Sequence, residues 1–167
     1  MKYECVHGDI TQQNDIEAIV NAANAELKPG GGVAGAIHHA AGNELEEATR
    51  SLAPIKPGDA VMTKAFLLPN RYIIHCLGPV YGVDTPSDKL LADCYRNALD
   101  LTEKHQMESI AFPAISTGAF GYPFESATDV ALETIRAHVE KLSHLKLVRF
   151  VLFSDKEFAH YQRALRK

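Results

Sequence analysis

The sequence predicts an α/β fold, a three-layer α/β/α sandwich with a central mixed, mostly parallel sheet of about six strands. Short β-like runs alternate along the chain with segments of helical periodicity, as in a sheet covered by helices on both faces. The runs at 71–78, 109–115 and 146–153 are almost continuously apolar, which is typical of strands buried on both sides. A length of 167 residues suits one hydrophobic core. We therefore expect a single domain over residues 1–167.

Each element has its own sequence signal. Strands are predicted at residues 3–8, 16–22, 59–66, 71–78, 109–115 and 146–153. Apolar residues at helical spacing predict helices over 87–105 and 126–142, and further helices are predicted from near Val33 and over 154–165. Ser154 or Asp155 is the candidate N-cap of the last helix, because either side chain can accept a hydrogen bond from a first-turn N–H.

Composition excludes several classes of protein. The net charge of -4 argues against a nucleic-acid scaffold, which relies on many basic side chains. No apolar run approaches the roughly 20 residues that span a membrane, and the N-terminus lacks the pattern of a signal peptide. We therefore expect no membrane partner and a cytoplasmic location.

The cysteines do not indicate a disulfide framework or a zinc site. There are three, an odd number, and none is in CxxC spacing. We expect Cys5, Cys76 and Cys94 to be buried thiols. His75 precedes Cys76 on a predicted strand, where neighbouring side chains point to opposite faces, so the two are a poor base and nucleophile pair.

Two glycine-rich segments follow predicted strands, at 21–35 and at 113–123. In sheets of this kind, ligands bind in the crevice at the carboxyl ends of the strands. Since both segments leave strands at that edge, we expect them to form two walls of one cleft.

The first segment matches two known phosphate-binding motifs poorly. Gly30, Gly32 and Gly35 satisfy GxGxxG, the dinucleotide fingerprint of the Rossmann fold. However, six residues intervene after the strand, and the acidic residue expected at the end of the next strand is missing. No GxxxxGK[ST] sequence occurs, which excludes a Walker P-loop.

The physical principle that these motifs share still applies. Glycines allow the backbone to approach a diphosphate closely, and the N-terminus of the following helix directs unpaired N–H groups and positive dipole toward it. The "STGAFG" sequence at 116–121 supplies a second loop whose amides could bind the same phosphates. The alternative is that these glycines only form tight turns.

Five motifs occur in the order found in the macrodomains, which bind ADP-ribose. They are "GDIT" at 8–11, "AIVNAAN" at 18–24, "GGGVAGAIHHAAG" at 30–42, "IIHCLGP" at 73–79 and "AFPAISTGAFGYP" at 111–123. The chain resembles this family over nearly its whole length, and most of all the bacterial members of the MacroD-type branch. Relatives in that branch remove mono-ADP-ribose from acidic side chains and deacetylate O-acetyl-ADP-ribose.

The resemblance implies binding roles for matching residues. Asp9 would accept a hydrogen bond from the adenine 6-amino group, with the Ile10 amide beside it, and Phe153 would pack near the adenine. Asn24 would bind the distal ribose, since an amide offers both a donor and an acceptor. The diphosphate and distal ribose would be surrounded by Gly31, Gly32, Val33, Ser116, Thr117, Gly118, Ala119 and Phe120, mostly through main-chain N–H groups.

Other polar residues near these motifs are expected to be structural. Asn21 is predicted to form a turn after its strand. His38 and His39 are adjacent on a helix and point about 100° apart, and no second ligand cluster accompanies them. We expect them to have structural or surface roles, and we expect neither a metal nor a cofactor.

Ala34 raises the question of whether the chain is an enzyme or a reader. The hydrolytic branch reads GGGVDG, and its aspartate helps to position the attacking water, a role that a methyl group cannot take. Some macrodomains with VAG are hydrolases that hold the water with the ligand's phosphate and brace the ribose with asparagine and loop aromatics. Asn24 and Phe120 are the candidate catalytic residues for that route. The expected partners are ADP-ribose and mono-ADP-ribosylated proteins, with nucleic acid only as an ADP-ribosylated substrate.

Overall fold

The computed structural model describes residues 1–167 as six strands, five α-helices and two short 3₁₀ helices. The strands are β1 (Lys2–His7), β2 (Ala18–Ala22), β3 (Ala60–Lys64), β4 (Tyr72–Cys76), β5 (Ser109–Phe112) and β6 (Leu147–Leu152). The α-helices are α1 (Gly32–Ala41), α2 (Glu44–Arg50), α3 (Ser87–Lys104), α4 (Phe124–His138) and α5 (Asp155–Leu165). The 3₁₀ helices are Ile10–Gln12 and Val139–Lys141.

The six strands form one sheet in the order β1-β6-β5-β2-β4-β3. All neighbours are parallel except β3, which pairs antiparallel with β4 at one edge. The predicted mixed, mostly parallel sheet of about six strands is therefore confirmed. The carboxyl ends of β1, β6, β5, β2 and β4 lie along a single edge.

Helices cover both faces of the sheet, as predicted. Alternate residues of each strand point to opposite sides, so Ile74 belongs to the larger core, beneath α3, α4 and α5, and Ile73 to the smaller one. The smaller core also contains Ile37 and Leu45, from α1 and α2. These two cores fix the sheet edge that carries the glycine-rich segments.

The predicted helices are present, with small shifts at their ends. Sequence analysis missed α2, because its sequence "ELEEATR" is polar and only Leu45 and Thr49 are buried. The last helix is capped by Ser154, whose Oγ accepts a hydrogen bond from Glu157 N–H at 3.2 Å. None of the helices combines the length and apolar composition required to cross a membrane.

The prediction that Asn21 forms a turn is wrong. Asn21 lies within β2 and is buried, and its Nδ2 is 3.1 Å from Nδ1 of His75. The other ring nitrogen of His75, Nε2, is 3.0 Å from Oγ1 of Thr63 on β3. The buried histidine thus links side chains of three neighbouring strands, β2, β4 and β3. On α1, His38 is buried and His39 is exposed, as expected of structural and surface residues.

Two of the three cysteines are fully buried, whereas Cys5 is only partly buried. A hydrogen bond with Cys94, together with burial, raises the pKa of the Cys76 thiol well above its ordinary value. His75 lies in β4 directly before Cys76, but its ring faces Asn21 and Thr63 on neighbouring strands. Neither Cys76 nor Cys94 is a candidate nucleophile, since nucleophilic attack requires an accessible thiolate.

The buried His75 predicts a specific dependence of stability on pH. Burial, with a smaller effect of nearby His38, lowers the pKa of His75 from 6.5 to about 3. Between these values the unfolded chain takes up a proton that the folded chain does not. The stability that neutral His75 provides is complete above about pH 6.5 and falls by about 1.4 kcal/mol per pH unit below it.

We expect His75→Gln to remove this component from the pH dependence of the free energy of unfolding, measured by urea titration between pH 7 and pH 4. The matched control is His39→Gln, which removes an exposed histidine and should leave the slope unchanged. An identical slope in the parent and His75→Gln would contradict the assignment.

Candidate functional site: a glycine-lined cleft at the carboxyl edge of the sheet

A cavity of about 530 Å³ opens at the carboxyl edge of the sheet. The two glycine-rich segments line it together, as the sequence predicts. Twenty residues form its walls: Ala22, Ala23, Asn24, Gly30, Gly31, Gly32, Val33, Ala34, Gly78, Pro113, Ala114, Ile115, Ser116, Thr117, Gly118, Ala119, Phe120, Val151, Phe153 and Glu157. They lie at or after the carboxyl ends of β2, β4, β5 and β6 or begin α1 and α5, so the sheet itself brings them together.

Unpaired backbone N–H groups are concentrated on two walls of this cavity. The five consecutive amides of residues 30–34 donate to no other group of the protein, and the same is true of the five at 116–120. Half of these ten residues are exposed, so water can reach their N–H groups. Two such runs along one cavity supply a set of donors for a ligand that accepts several hydrogen bonds.

The first run belongs to the N-terminus of α1. Gly31 is the N-cap and has no side chain that could accept from the first turn, so these N–H groups stay available. The helix dipole adds positive potential at the same place. No Lys, Arg or His lines the cavity, so the attraction for an anion comes from the backbone alone.

The second run is held in place through its carbonyl groups. Tyr122 N–H donates to Ser116 O at 2.9 Å, and Tyr81 N–H donates to Phe120 O at 2.9 Å. Ser116 also has a φ of +67°, in the left-handed region, which costs on the order of 1 kcal/mol for a residue other than glycine. These hydrogen bonds use only the carbonyl groups of the loop, so its N–H groups remain free.

Ser116 also holds a buried hydroxyl against Gly78. Its Oγ has no hydrogen-bond partner in the protein, although the residue is only 7% exposed. Gly78 makes room for it, because a Cβ on Gly78 would lie 2.1 Å from that oxygen. A buried hydroxyl without a partner is costly, so Ser116 is a locally unfavourable residue in its side chain as well as in its backbone.

Asn24 has two roles in the structure. Its Nδ2 donates to Lys28 O at 2.8 Å, and its Oδ1 accepts from Lys28 N–H at 3.0 Å. These bonds close the turn that leads to the glycines. One N–H and one lone pair of the amide remain free, so Asn24 can still offer a donor and an acceptor at the cavity wall.

Ala34 occupies the first turn of α1, where its methyl group is 5% exposed and lines the cavity. The side chain offers no proton acceptor at this position. Phe120 lies on the second loop and Asn24 follows β2, and both line the same cavity as Ala34.

All the predicted site residues line the cavity except Asp9 and Ile10. These two follow β1, at the outer side of β6, and lie beyond the cavity wall that Phe153 forms. Asp9 uses its Oδ1 to accept from both N–H and Oγ1 of Thr11, at 2.9 and 2.7 Å, and its Oδ2 is free. Phe153 is 90% exposed, unusually high for a large aromatic residue.

Sequence analysis missed Glu157, which supplies the only charged side chain in the cavity wall. The signal that places it there is its position, four residues after Phe153 in the first turn of α5. That signal is ambiguous, because Ser154 and Glu157 also fit the S-x-x-E capping pattern. In that pattern the glutamate bonds to the N-cap instead of facing a cavity.

Comparison with known proteins identifies the family. The model of the Macro domain family matches residues 20–131, about two thirds of the chain. The chain belongs to the macro domain family. The resemblance drawn from the motifs is therefore confirmed, and the two glycine-rich walls both fall within the matched residues.

Similar macro domain proteins cover nearly the whole chain. A macro domain-containing protein of Chlorobaculum tepidum is 46% identical and spans 96% of this chain and 93% of its own. A Klebsiella pneumoniae protein named O-acetyl-ADP-ribose deacetylase is 44% identical, with 97% and 95% covered. A solved structure of a variant Oceanobacillus iheyensis macrodomain with ADPR is 43% identical, covers 97% and 90%, and has a TM-score of 0.91.

The close packing of Gly35 against Gly30 at the start of α1 predicts that Gly35→Ala destabilises the protein. A Cβ on Gly35 would lie 2.3 Å from the carbonyl oxygen of Gly30, so the backbone must move. Alanine normally stabilises a helix relative to glycine, but here we expect the free energy of unfolding to fall by about 1–3 kcal/mol.

Urea denaturation measures this effect, with Gly118→Ala as the control. A Cβ on Gly118 would meet no atom within 4 Å, so the control should change stability by no more than about 0.5 kcal/mol. Equal stability of Gly35→Ala and the parent would show that residues 30 and 35 are not in close contact.

Proposed function

We propose that this macro domain binds ADP-ribose in the cavity. The observation that carries the proposal is the pair of unpaired N–H runs, at 30–34 and 116–120, which face one cavity without any cationic side chain. A diphosphate is suited to this arrangement, because it presents several oxygens that can accept from both runs. The similar macrodomain with ADPR supports the choice of ligand.

The order of the strands determines the orientation that we propose for the ligand along the edge of the sheet. In our proposal the adenine lies at the β1 and β6 end, where the free Oδ2 of Asp9 accepts from its amino group and Phe153 covers the ring. The diphosphate lies between the two N–H runs. The distal ribose then reaches Asn24, Ala34 and Phe120.

We further propose that the macro domain hydrolyses esters of ADP-ribose, both on acidic side chains of proteins and in O-acetyl-ADP-ribose. The relatives named O-acetyl-ADP-ribose deacetylase support an ester-cleaving activity. For the glutamate ester, water adds at the anomeric carbon of the distal ribose, the bond to the acyl oxygen breaks, and the carboxylic acid leaves.

The residues of the cavity have distinct tasks in this reaction. Asn24 holds the distal ribose through its remaining donor and acceptor, and Phe120 limits the movement of the sugar. With Ala34 in the first turn of α1, the water must be oriented by an oxygen of the bound diphosphate. Positive charge developing at the distal ribose is stabilised by that same diphosphate.

A second candidate function is that of a reader, which binds ADP-ribose without turnover. The observation that favours it is Ala34, whose methyl group cannot accept a proton. Loss of a positioned general base typically lowers a rate by about 100-fold to 10,000-fold.

One measurement tests binding, and a second separates these candidates. Isothermal titration should give a Kd for ADP-ribose in the micromolar range or tighter under either candidate, and no binding would contradict the proposed function. Incubation with a glutamate-modified ADP-ribosylated protein should release ADP-ribose only if the macro domain is a hydrolase.

We expect Ala34→Asp to raise the turnover number for the glutamate ester by at least about tenfold. The new carboxylate would face the cavity from the first turn of α1 and could orient the attacking water. Single-turnover release of ADP-ribose at saturating enzyme measures the effect without interference from altered affinity.

Ala36→Asp is the matched control, because it introduces the same carboxylate on the exposed face of α1. Its turnover should equal that of the parent. An equal rise in both variants would show that the added charge acts nonspecifically and that position 34 does not face the reacting centre.

We expect Asn24→Ala to lower turnover by about tenfold to hundredfold, since it removes the contact that orients the distal ribose. Affinity for ADP, which has no distal ribose, should change much less than affinity for ADP-ribose. Equal loss of affinity for both ligands would instead mean that Asn24 acts only by closing the turn with Lys28.

A further inference from the structure

Glu157 is the one charged residue in a cavity wall otherwise built from backbone, small and apolar groups, with Asn24, Ser116 and Thr117 as its polar side chains. It lies beside Val151 and Phe153, at the β6 end of the cavity. The functions proposed above for the diphosphate and the distal ribose do not use it.

The carboxylate of Glu157 has no partner in the protein. Ser154 and Glu157 have the spacing of a capping box, and Ser154 Oγ does accept from Glu157 N–H at 3.2 Å. The reciprocal bond, from Ser154 N–H to the Glu157 carboxylate, is absent, and so is any ion pair of Glu157. The carboxylate is thus free to accept hydrogen bonds from a ligand.

Strand order indicates which part of the ligand it meets. The edge runs from β1, which ends near Asp9, through β6 and β5 to β2, which ends near Asn24. ADP-ribose contains, in order, the adenine, a first ribose, the diphosphate and the distal ribose. With the adenine near Asp9 and the diphosphate between the N–H runs, the first ribose lies at the β6 end, beside Glu157.

We propose that Glu157 is a specificity-determining residue that accepts hydrogen bonds from the hydroxyl groups of this first ribose and excludes ligands phosphorylated there. A carboxylate is an acceptor only, and vicinal hydroxyls are its natural donors. A phosphate on the 2′ oxygen would replace a donor with negative charge directly opposite the carboxylate. No Lys, Arg or His of the cavity wall could offset that repulsion.

This inference rests on the proposed function, and isothermal titration with two ligands tests it. The parent should bind ADP-ribose at least about tenfold more tightly than ADP-ribose 2′-phosphate, because like charges placed in contact strongly oppose binding. Glu157→Gln keeps the size of the side chain and removes its charge. In this variant we expect the ratio of the two dissociation constants to fall below about threefold.

Glu44→Gln is the matched control. It removes the same charge from the first turn of α2, outside the cavity, and should discriminate between the ligands as the parent does. The inference would be overturned if the parent did not discriminate between the two ligands or if Glu157→Gln discriminated as the parent does. It would also be overturned if Glu44→Gln lost as much discrimination as Glu157→Gln. Failure of the parent to bind ADP-ribose would contradict the proposed function instead.

A second measurement needs no variant. Discrimination by the parent should weaken as NaCl rises toward about 1 M, where the Debye length is about 3 Å, since salt screens repulsion between charges. Discrimination that is independent of salt would mean that the 2′-phosphate is excluded by its size, and would overturn the role of the Glu157 charge.

Discussion

Backbone N–H groups left without partners at 30–34 and 116–120 are the feature around which the rest of the site is arranged. The fold keeps these groups in two loops at one edge of the sheet, where half of the ten residues are exposed. Ser116 in the second loop has a left-handed φ that is unfavourable for a residue other than glycine, and in the first loop Gly35 leaves no room for a Cβ beside Gly30. In the proposed complex, a diphosphate accepts hydrogen bonds from both loops.

The sheet makes this arrangement possible. Parallel strands β6, β5 and β2 end at the same edge, so the segments that follow them meet although they are distant in sequence. Buried contacts behind the edge fix the strands to one another, as the hydrogen bonds of His75 to Asn21 and Thr63 illustrate. A site that attracts an anion through the backbone alone needs such rigidity, because amides cannot adjust as flexible lysine side chains can.

The fold and most of the cavity wall could be predicted from sequence, because apolar runs mark the strands and glycines mark the loops that follow them. The sequence did not predict the polar helix α2, because only Leu45 and Thr49 are buried and the helix has no apolar stripe. Asn21 was misassigned because hydrogen bonding to a histidine on another strand leaves no local pattern. Glu157 was missed for a similar reason, since the sequence does not reveal whether a carboxylate in a capping pattern bonds to the cap or faces a cavity.

In the proposed function, binding and catalysis depend on different parts of this macro domain, since the two loops would bind through main-chain groups while Ala34 offers no catalytic carboxylate. The central claim concerns the main chain, and an ¹H–¹⁵N correlation spectrum recorded during titration with ADP-ribose tests it most directly. We predict that the amide protons of residues 30–34 and 116–120 show the largest shifts, downfield as expected for new hydrogen bonds to phosphate. Shifts confined to one loop, or centred away from both, would contradict the account.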